Sequence, residues 1–350
     1  MIVYWIMYLA PAALTLSALL GRHYRSRGLA AGAILFLFLF IGFRETGGDY
    51  PRYELLFQQL SGHSLAYAIS KTEPIYGFIN WFVQAVGLGF GYVTLITSAI
   101  YSYCLWRFVK AEPFPLLALS IATAYLTIVV AMGYTRQGVA IGLVMLATVA
   151  IRDRRALLAS LILIVAVGFH YSAAIAFGLI FHAVRLRSKL QTRLLGIALA
   201  IITSFGVYSL LRPEFSDYVA VYVESSRYAS GGAVQRLLLC WIAALIVISF
   251  RRRWPEVDRA LWTSVSLASL GTSLLLFISS TVADRLGLYL LPLQVVAFGR
   301  LPFVYTKNIP LITVAVLFGY FLVLGTWLVF GNFSSELWLP YRSSLLGSVP

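Results

Sequence analysis

Long apolar runs separated by short charged connections set the organisation of this chain. They predict helices at approximately 2–20, 28–43, 90–106, 115–131, 137–151, 156–169, 172–184, 194–211, 236–250, 260–279, 286–299 and 309–330. Runs of this kind, recurring along the whole length, are what crossing about 30 Å of hydrocarbon requires. The predicted fold is all-α: a polytopic membrane bundle of about 12 transmembrane helices in a single integral domain, 1–350. Residues 74–88 interrupt the alternation, because counting them as a full span would invert every later loop. They read as a re-entrant or interfacial helix, with a thirteenth span as the alternative. Three segments predicted on one face exceed a hairpin: 44–73, 212–235 and the tail 331–350. Loops of such length often act as lids or binding loops.

Composition confirms the class: 60% hydrophobic and 11% charged over 350 residues, with a mean hydropathy of +0.86, exclude a soluble domain. A net charge of +14 suggests nucleic acid until its distribution is considered. Alternate connections carry most of the 27 lysines and arginines, among them Arg22, Arg25 and Arg27, then Arg152, Arg154 and Arg155, then Arg251, Arg252 and Arg253. The opposite face balances basic against acidic side chains. Basic loops stay in the cytoplasm, which places both termini outside. Topology and anionic membrane lipid explain the basic loops, so no nucleic-acid partner is expected. Cys104 and Cys240, far apart in apolar runs, read as packing residues. The N-terminus lacks a basic n-region and a small-residue cleavage site, so the first span reads as retained.

Ionisable groups next to hydrocarbon are functional candidates by default. The topology gathers several at the outer ends of spans: Arg44 and Asp49, Arg136, His170, and Asp284 with Arg285. Each has a structural alternative. Arg44 and Arg285 can be snorkelling anchors, Asp49 beside Gly47-Gly48 a turn residue, and His170 an interfacial histidine bonded to a carbonyl. Glu73, Arg212 and Glu214 read as solvated loop charges. Together these arginines suit a lipid-linked diphosphate, since guanidinium forks bind phosphate bidentately. His170 or Asp49 would take the proton of an attacking hydroxyl. Tyr50, Tyr53 and Tyr341, with Trp81 and Trp338, suit sugar rings and equally an aromatic belt. The predicted outer face carries no D-x-D pair, so arginine-only charge neutralisation, with no metal and no cofactor, is the expectation.

These motifs resemble the EpsG/Wzy family of bacterial polysaccharide polymerases. The matching residues run in order: Gly42-Phe43-Arg44, Gly48-Asp49-Tyr50, Tyr53, Phe57, Glu73-Pro74-x-Tyr76-Gly77, Arg136-Gln137, Phe169-His170-x-Ser172, Asp284-Arg285 and Trp338-Leu339-Pro340-Tyr341. The resemblance implies a GT-C-like glycosyltransferase at the outer face of the bacterial inner membrane. It would act on undecaprenyl-diphosphate-linked oligosaccharide repeat units, and a chain-length regulator protein is an implied partner. The growing chain would pass from its lipid diphosphate to a hydroxyl of the next unit. Arg44, Arg136 and Arg285, with Gln137, would hold the diphosphate, His170 or Asp49 would be the base, and 212–235 the lid. The alternatives are an O-antigen ligase, a flippase for lipid-linked oligosaccharide and a membrane-bound O-acyltransferase. Charge gathered at one face, rather than along a path, argues against the flippase.

Overall fold

The protein is represented by a computed structural model that describes residues 1–184, isolated positions between 188 and 201, and 233–277, 280–305, 308–331 and 333–349. The expected span 194–211 and the expected lid 212–235 lie largely outside the described residues.

The apolar runs within the described residues are helical. The chain forms α1 (Ile2–Leu20), α2 (Arg27–Gly42), α6 (Phe90–Val109) and α7 (Pro115–Ala122), which continues as a π-helical stretch, Thr123–Ala131. Next come α8 (Thr135–Arg152), α9 (Ala156–Phe169) and a 3₁₀ helix, Tyr171–His182. After the gap follow α10 (Ala233–Ser249), α11 (Glu256–Leu275), α12 (Ser280–Gly287), α13 (Leu291–Tyr305) and α14 (Ile309–Phe330). Among the described residues four helices are long and apolar enough to cross a membrane by length and composition: Ile2–Leu20, Thr135–Arg152, Ala283–Tyr305 and Ile309–Phe330. Shorter apolar helices accompany them, and the whole is a multi-pass helical membrane protein. Local chemistry marks the ends: Asn308 Oδ1 accepts the Leu311 N–H at 3.0 Å while Pro310 occupies the first turn of α14, where no N–H is needed.

The expected long loop 44–73 folds into two short helices, α3 (Tyr50–Gln59) and α4 (Leu65–Lys71), and α5 (Pro74–Ala85) follows at once. The tail departs from an all-α reading. It makes a short π turn at Ser334–Trp338 and then a hairpin, β1 (Tyr341–Ser343) against β2 (Gly347–Val349). The hairpin returns to the first loop, where Arg44 bridges Ser343 and the Glu45 N–H donates to the Arg342 carbonyl at 2.8 Å.

α8 is the central helix, packed against α6, α9 and the 3₁₀ helix. At the end of the bundle that carries the basic connections, Arg300 is buried in α13. It donates to Glu112 (Nε–Oε2 2.6 Å, Nη2–Oε1 2.7 Å) and to Asp258 (Nη1–Oδ1 3.1 Å, Nη2–Oδ2 2.8 Å), above the Trp254 ring. Glu112 and Asp258 are therefore interior. This single guanidinium ties the end of α6 to the first turn of α11. Removing one partner of such a pair strands the others in a low dielectric. Arg300→Met should destabilise by about 3–5 kcal/mol, read as a fall in detergent melting temperature, whereas Arg251→Met, exposed in the neighbouring connection, should leave it unchanged.

Candidate functional site

The opposite end begins with Arg44, the first residue beyond the α2 cap. Its side chain is 2% exposed, and each of its three nitrogens has a hydrogen-bond acceptor. Nε donates to the Met132 carbonyl (3.2 Å), Nη1 to the Ile41 carbonyl (2.5 Å) and Ser98 Oγ (3.2 Å), and Nη2 to Thr135 Oγ1 (2.8 Å). Ile41 and Met132 close α2 and the π stretch, where carbonyls lack helical partners and a positive charge is favoured. Burial pushes Arg44 down to about 10, so it stays charged at neutral pH. Its donors serve the fold; the expected diphosphate contact would have to displace them.

The glycines after Arg44 allow the loop to pass close beneath this break. Gly47 has φ +132°, and a Cβ there would fall 2.2 Å from the Met132 carbonyl oxygen. A Cβ on Gly133 would meet the Trp338 ring at 2.5 Å. Trp338 is buried, donating its Nε1–H to the Ile128 carbonyl at 3.0 Å. Tyr341 is likewise interior, its hydroxyl donating to the Phe40 carbonyl at 2.8 Å and its ring edge-on to Tyr4. Neither residue forms the aromatic rim expected from the sequence. Tyr50 is half-buried against Phe90.

Asp49 donates its N–H to the Gly133 carbonyl (2.9 Å) and opens α3. Its carboxylate accepts the Tyr53 hydroxyl at 2.9 Å. Burial raises the Tyr53 phenol far above its ordinary value, which keeps it a donor. The Tyr53 ring lies under Arg136, 5.1 Å from its guanidinium carbon, and Tyr76 lies 5.8 Å away. Arg136 Nη1 in turn donates to Glu73 Oε2 and to Thr72 Oγ1 (2.9 Å), and Thr72 Oγ1 donates to the same Glu73 oxygen (2.9 Å). Arg136 Nε is buried with no hydrogen-bond partner among the described residues. Glu73, expected to be a solvated loop charge, is 6% exposed. A basic residue in the first turn of α8 opposes the helix dipole, and Glu73 offsets this from the start of α5.

His170 caps the 3₁₀ helix: the Ser172 N–H donates to its Nδ1 at 3.3 Å, with Ser172 Oγ 2.7 Å from the same atom and 3.1 Å from Tyr289 Oη. Nδ1 therefore keeps its lone pair, and the neutral ring carries its proton on Nε2. Burial, opposed by Glu73 and reinforced by Arg136 and Arg285, pushes His170 down to about 4. Glu73, Arg136, His170 and Arg285 thus share one electrostatic neighbourhood. Gln137 holds the Arg285 backbone, its Nε2 donating to that carbonyl at 2.9 Å, and the Arg285 side chain is exposed. Beside Tyr289 and Leu286 an apolar cleft of about 720 Å³ opens, walled by Leu179, Val265 and Leu293. Asp284 faces Arg236 at the start of α10, bidentate at 2.5 and 2.6 Å.

The structure thus brings Arg136, Gln137, His170 and Arg285 together and adds Glu73 and Thr72. It sets Asp49 and Tyr53 beneath them as supports and leaves Arg44 and Tyr341 in the packing. Arg236 was not anticipated, although its signal, an arginine opening an apolar helix, is that of Arg136. Among the described residues no three His, Cys, Asp or Glu side chains group as a metal site.

Two outcomes follow from this geometry. Gly47→Ala forces both a clash and an unfavourable φ, and should cost on the order of 3 kcal/mol; Gly28→Ala, whose Cβ meets nothing within 4 Å, should be neutral in the same melting assay. His170, held near 4 against about 6.5 when unfolded, binds fewer protons folded than unfolded between those values. Stability should therefore fall as pH is lowered from about 6.5 toward 4, and His170→Asn, which keeps a capping acceptor, should flatten that part of the melting-temperature profile.

No curated protein and no solved structure matches the chain. The family model described as the EpsG family matches residues 30–343 of the 350, from the first turn of α2 through Ser343 of β1. That span contains every residue of the cluster built above, and the chain belongs to the EpsG family.

Proposed function

We propose that this membrane polysaccharide polymerase extends its product by glycosyl transfer between lipid-diphosphate-linked oligosaccharides, with undecaprenyl diphosphate as the lipid carrier. The cluster would face the outer side of the bacterial inner membrane, where repeat units await polymerisation. The observation that carries this reading is the state of Arg136. One nitrogen is committed to Glu73 and Thr72, while buried Nε has no partner. Orphaned buried donors are rare and point to a missing ligand. The residue also opens α8, where helical N–H groups and the dipole favour an anion.

In this reading Arg136 and Arg285 receive the diphosphate and stabilise the charge that grows on it as the glycosidic bond breaks. His170, neutral and protonated on Nε2, donates to that leaving group, which departs from the expectation of a base. Asp49 supports Tyr53, and Tyr53 supports Arg136. Gln137 fixes the Arg285 backbone. The apolar cleft, about 720 Å³ and bounded by the residue next to Arg285, lies within the range of ligand pockets and suits a prenyl chain whose diphosphate lies at Arg285.

Arg136→Lys tests the reading, because lysine can still neutralise Glu73 but lacks the fork. It should accumulate in membranes at the parental level and lose long polymer, with the initial rate down about 100-fold or more, and single lipid-linked repeat units should build up. Normal chain length in that strain would refute the assignment. Long lipid-bound polymer would point to a ligase.

A further inference from the structure

The proposed transfer needs a group to accept the proton of the attacking sugar hydroxyl, and neither residue expected from the sequence is arranged for it. His170 Nδ1 is occupied by the Ser172 N–H and Oγ, and the other ring nitrogen carries the proton. Asp49 is engaged by the Tyr53 hydroxyl at the start of α3.

We infer that Glu73 is the general base of this site. The inference rests on the polymerase reading given above. Three features of the geometry lead to it. The carboxylate is held on one side only: Arg136 Nη1 and Thr72 Oγ1 both engage Oε2. Among the described residues Oε1 has no hydrogen-bond partner, and the Glu73 side chain keeps 8% of its surface exposed. The backbone is fixed as well, because Glu73 sits at the N-cap of α5 before Pro74, and the Gly77 N–H closes on its carbonyl at 2.8 Å. A base needs one free, fixed oxygen close to where charge develops, and here the same guanidinium links it to the anion site.

The step balances without any further reactant. The acceptor hydroxyl oxygen forms a bond to the anomeric carbon of the donor sugar as its proton passes to Glu73 Oε1. The bond from that carbon to the diphosphate oxygen breaks, and its electron pair leaves on the diphosphate. Glu73 then returns the proton to water. Arg136, bonded to the base on Nη1 and standing in the first turn of α8, holds base and proposed anion site in fixed relation. Thr72 is a positioning residue, since it touches the carboxylate and Arg136 and none of the reacting groups.

The experiment uses purified full-length protein in detergent with lipid-linked repeat units extracted from cells that lack it. Glu73→Gln, which preserves shape and the acceptor for Arg136, should lower kcat by about 100-fold or more with little change in KM, while the melting temperature falls because Arg136 loses its countercharge. Glu73→Asp, which restores a carboxylate, should recover part of the rate, and Thr72→Val should lose only a few-fold. Equal rates for Glu73→Gln and the parent overturn the inference while leaving the polymerase reading intact; no polymer from the parent protein overturns that reading first. If Glu73→Gln does not accumulate, the parent is treated with a carbodiimide and glycine methyl ester. Modification of Glu73, mapped by mass spectrometry, should then track loss of rate and be slowed by the lipid-linked unit. Modification without loss of rate, or a glycosyl group found covalently on Glu73, would overturn its role as a base.

Discussion

A buried guanidinium that closes two helices at once is the interaction on which this end of the molecule depends. Helices packed in a membrane must satisfy their terminal carbonyls from within the protein, because no water is at hand to do so. Arg44 meets that requirement for α2 and for the π stretch after α7, and through Thr135 it also fixes the start of α8. The start of α8 is where Arg136 and Gln137 stand, so the placement of the site follows from the way the neighbouring helices are terminated. A residue with an active-site look thus acts by building the frame, and in the proposed function the chemistry falls to the arginine one layer beyond.

Both ends of the bundle hold charge in the interior by similar means, with different results. Arg300 is saturated by two carboxylates, and every group involved has a partner. At Arg136 the pairing is incomplete: one nitrogen is satisfied and another is orphaned. Full compensation makes a clamp, whereas partial compensation leaves free energy to be gained when an anion arrives. Aromatic rings complete both sites, Trp254 under Arg300 and Tyr53 under Arg136.

Much of this was legible in the sequence. The uninterrupted apolar runs located the described long helices to within a few residues, because a membrane tolerates few other patterns. Arg136, Gln137, His170 and Arg285 could be picked out since each is polar at the edge of an apolar run. Burial of Glu73 could not be read in this way, since a carboxylate between Thr72 and Pro74 looks like any loop charge until α8 is laid against α5. The same holds for Glu112 and Asp258, whose partner Arg300 lies over 40 residues from either. Trp338 and Tyr341 were misread for the opposite reason. Aromatics near the end of a span suggest an interfacial belt, and only the return of the tail shows them entering the core. The π stretch and the 3₁₀ helix have the same apolar composition as their α-helical neighbours, so periodicity alone gave no sign of either.

The pairing of the tail with the first loop has a temporal consequence. Arg44 meets Ser343, the Gly47 N–H donates to Leu337 at 2.9 Å, and Trp338 fills the space left by Gly133. These partners are separated by nearly the whole chain, so they meet only after almost all of it has been synthesised and inserted. Long-range closure of this kind is slow relative to local helix formation. The nascent protein would therefore pass through a stage in which its helices are in the bilayer but the floor of the site is open. Assembly of the proposed site would then coincide with the last step of folding, and a chain stalled in the membrane would lack it.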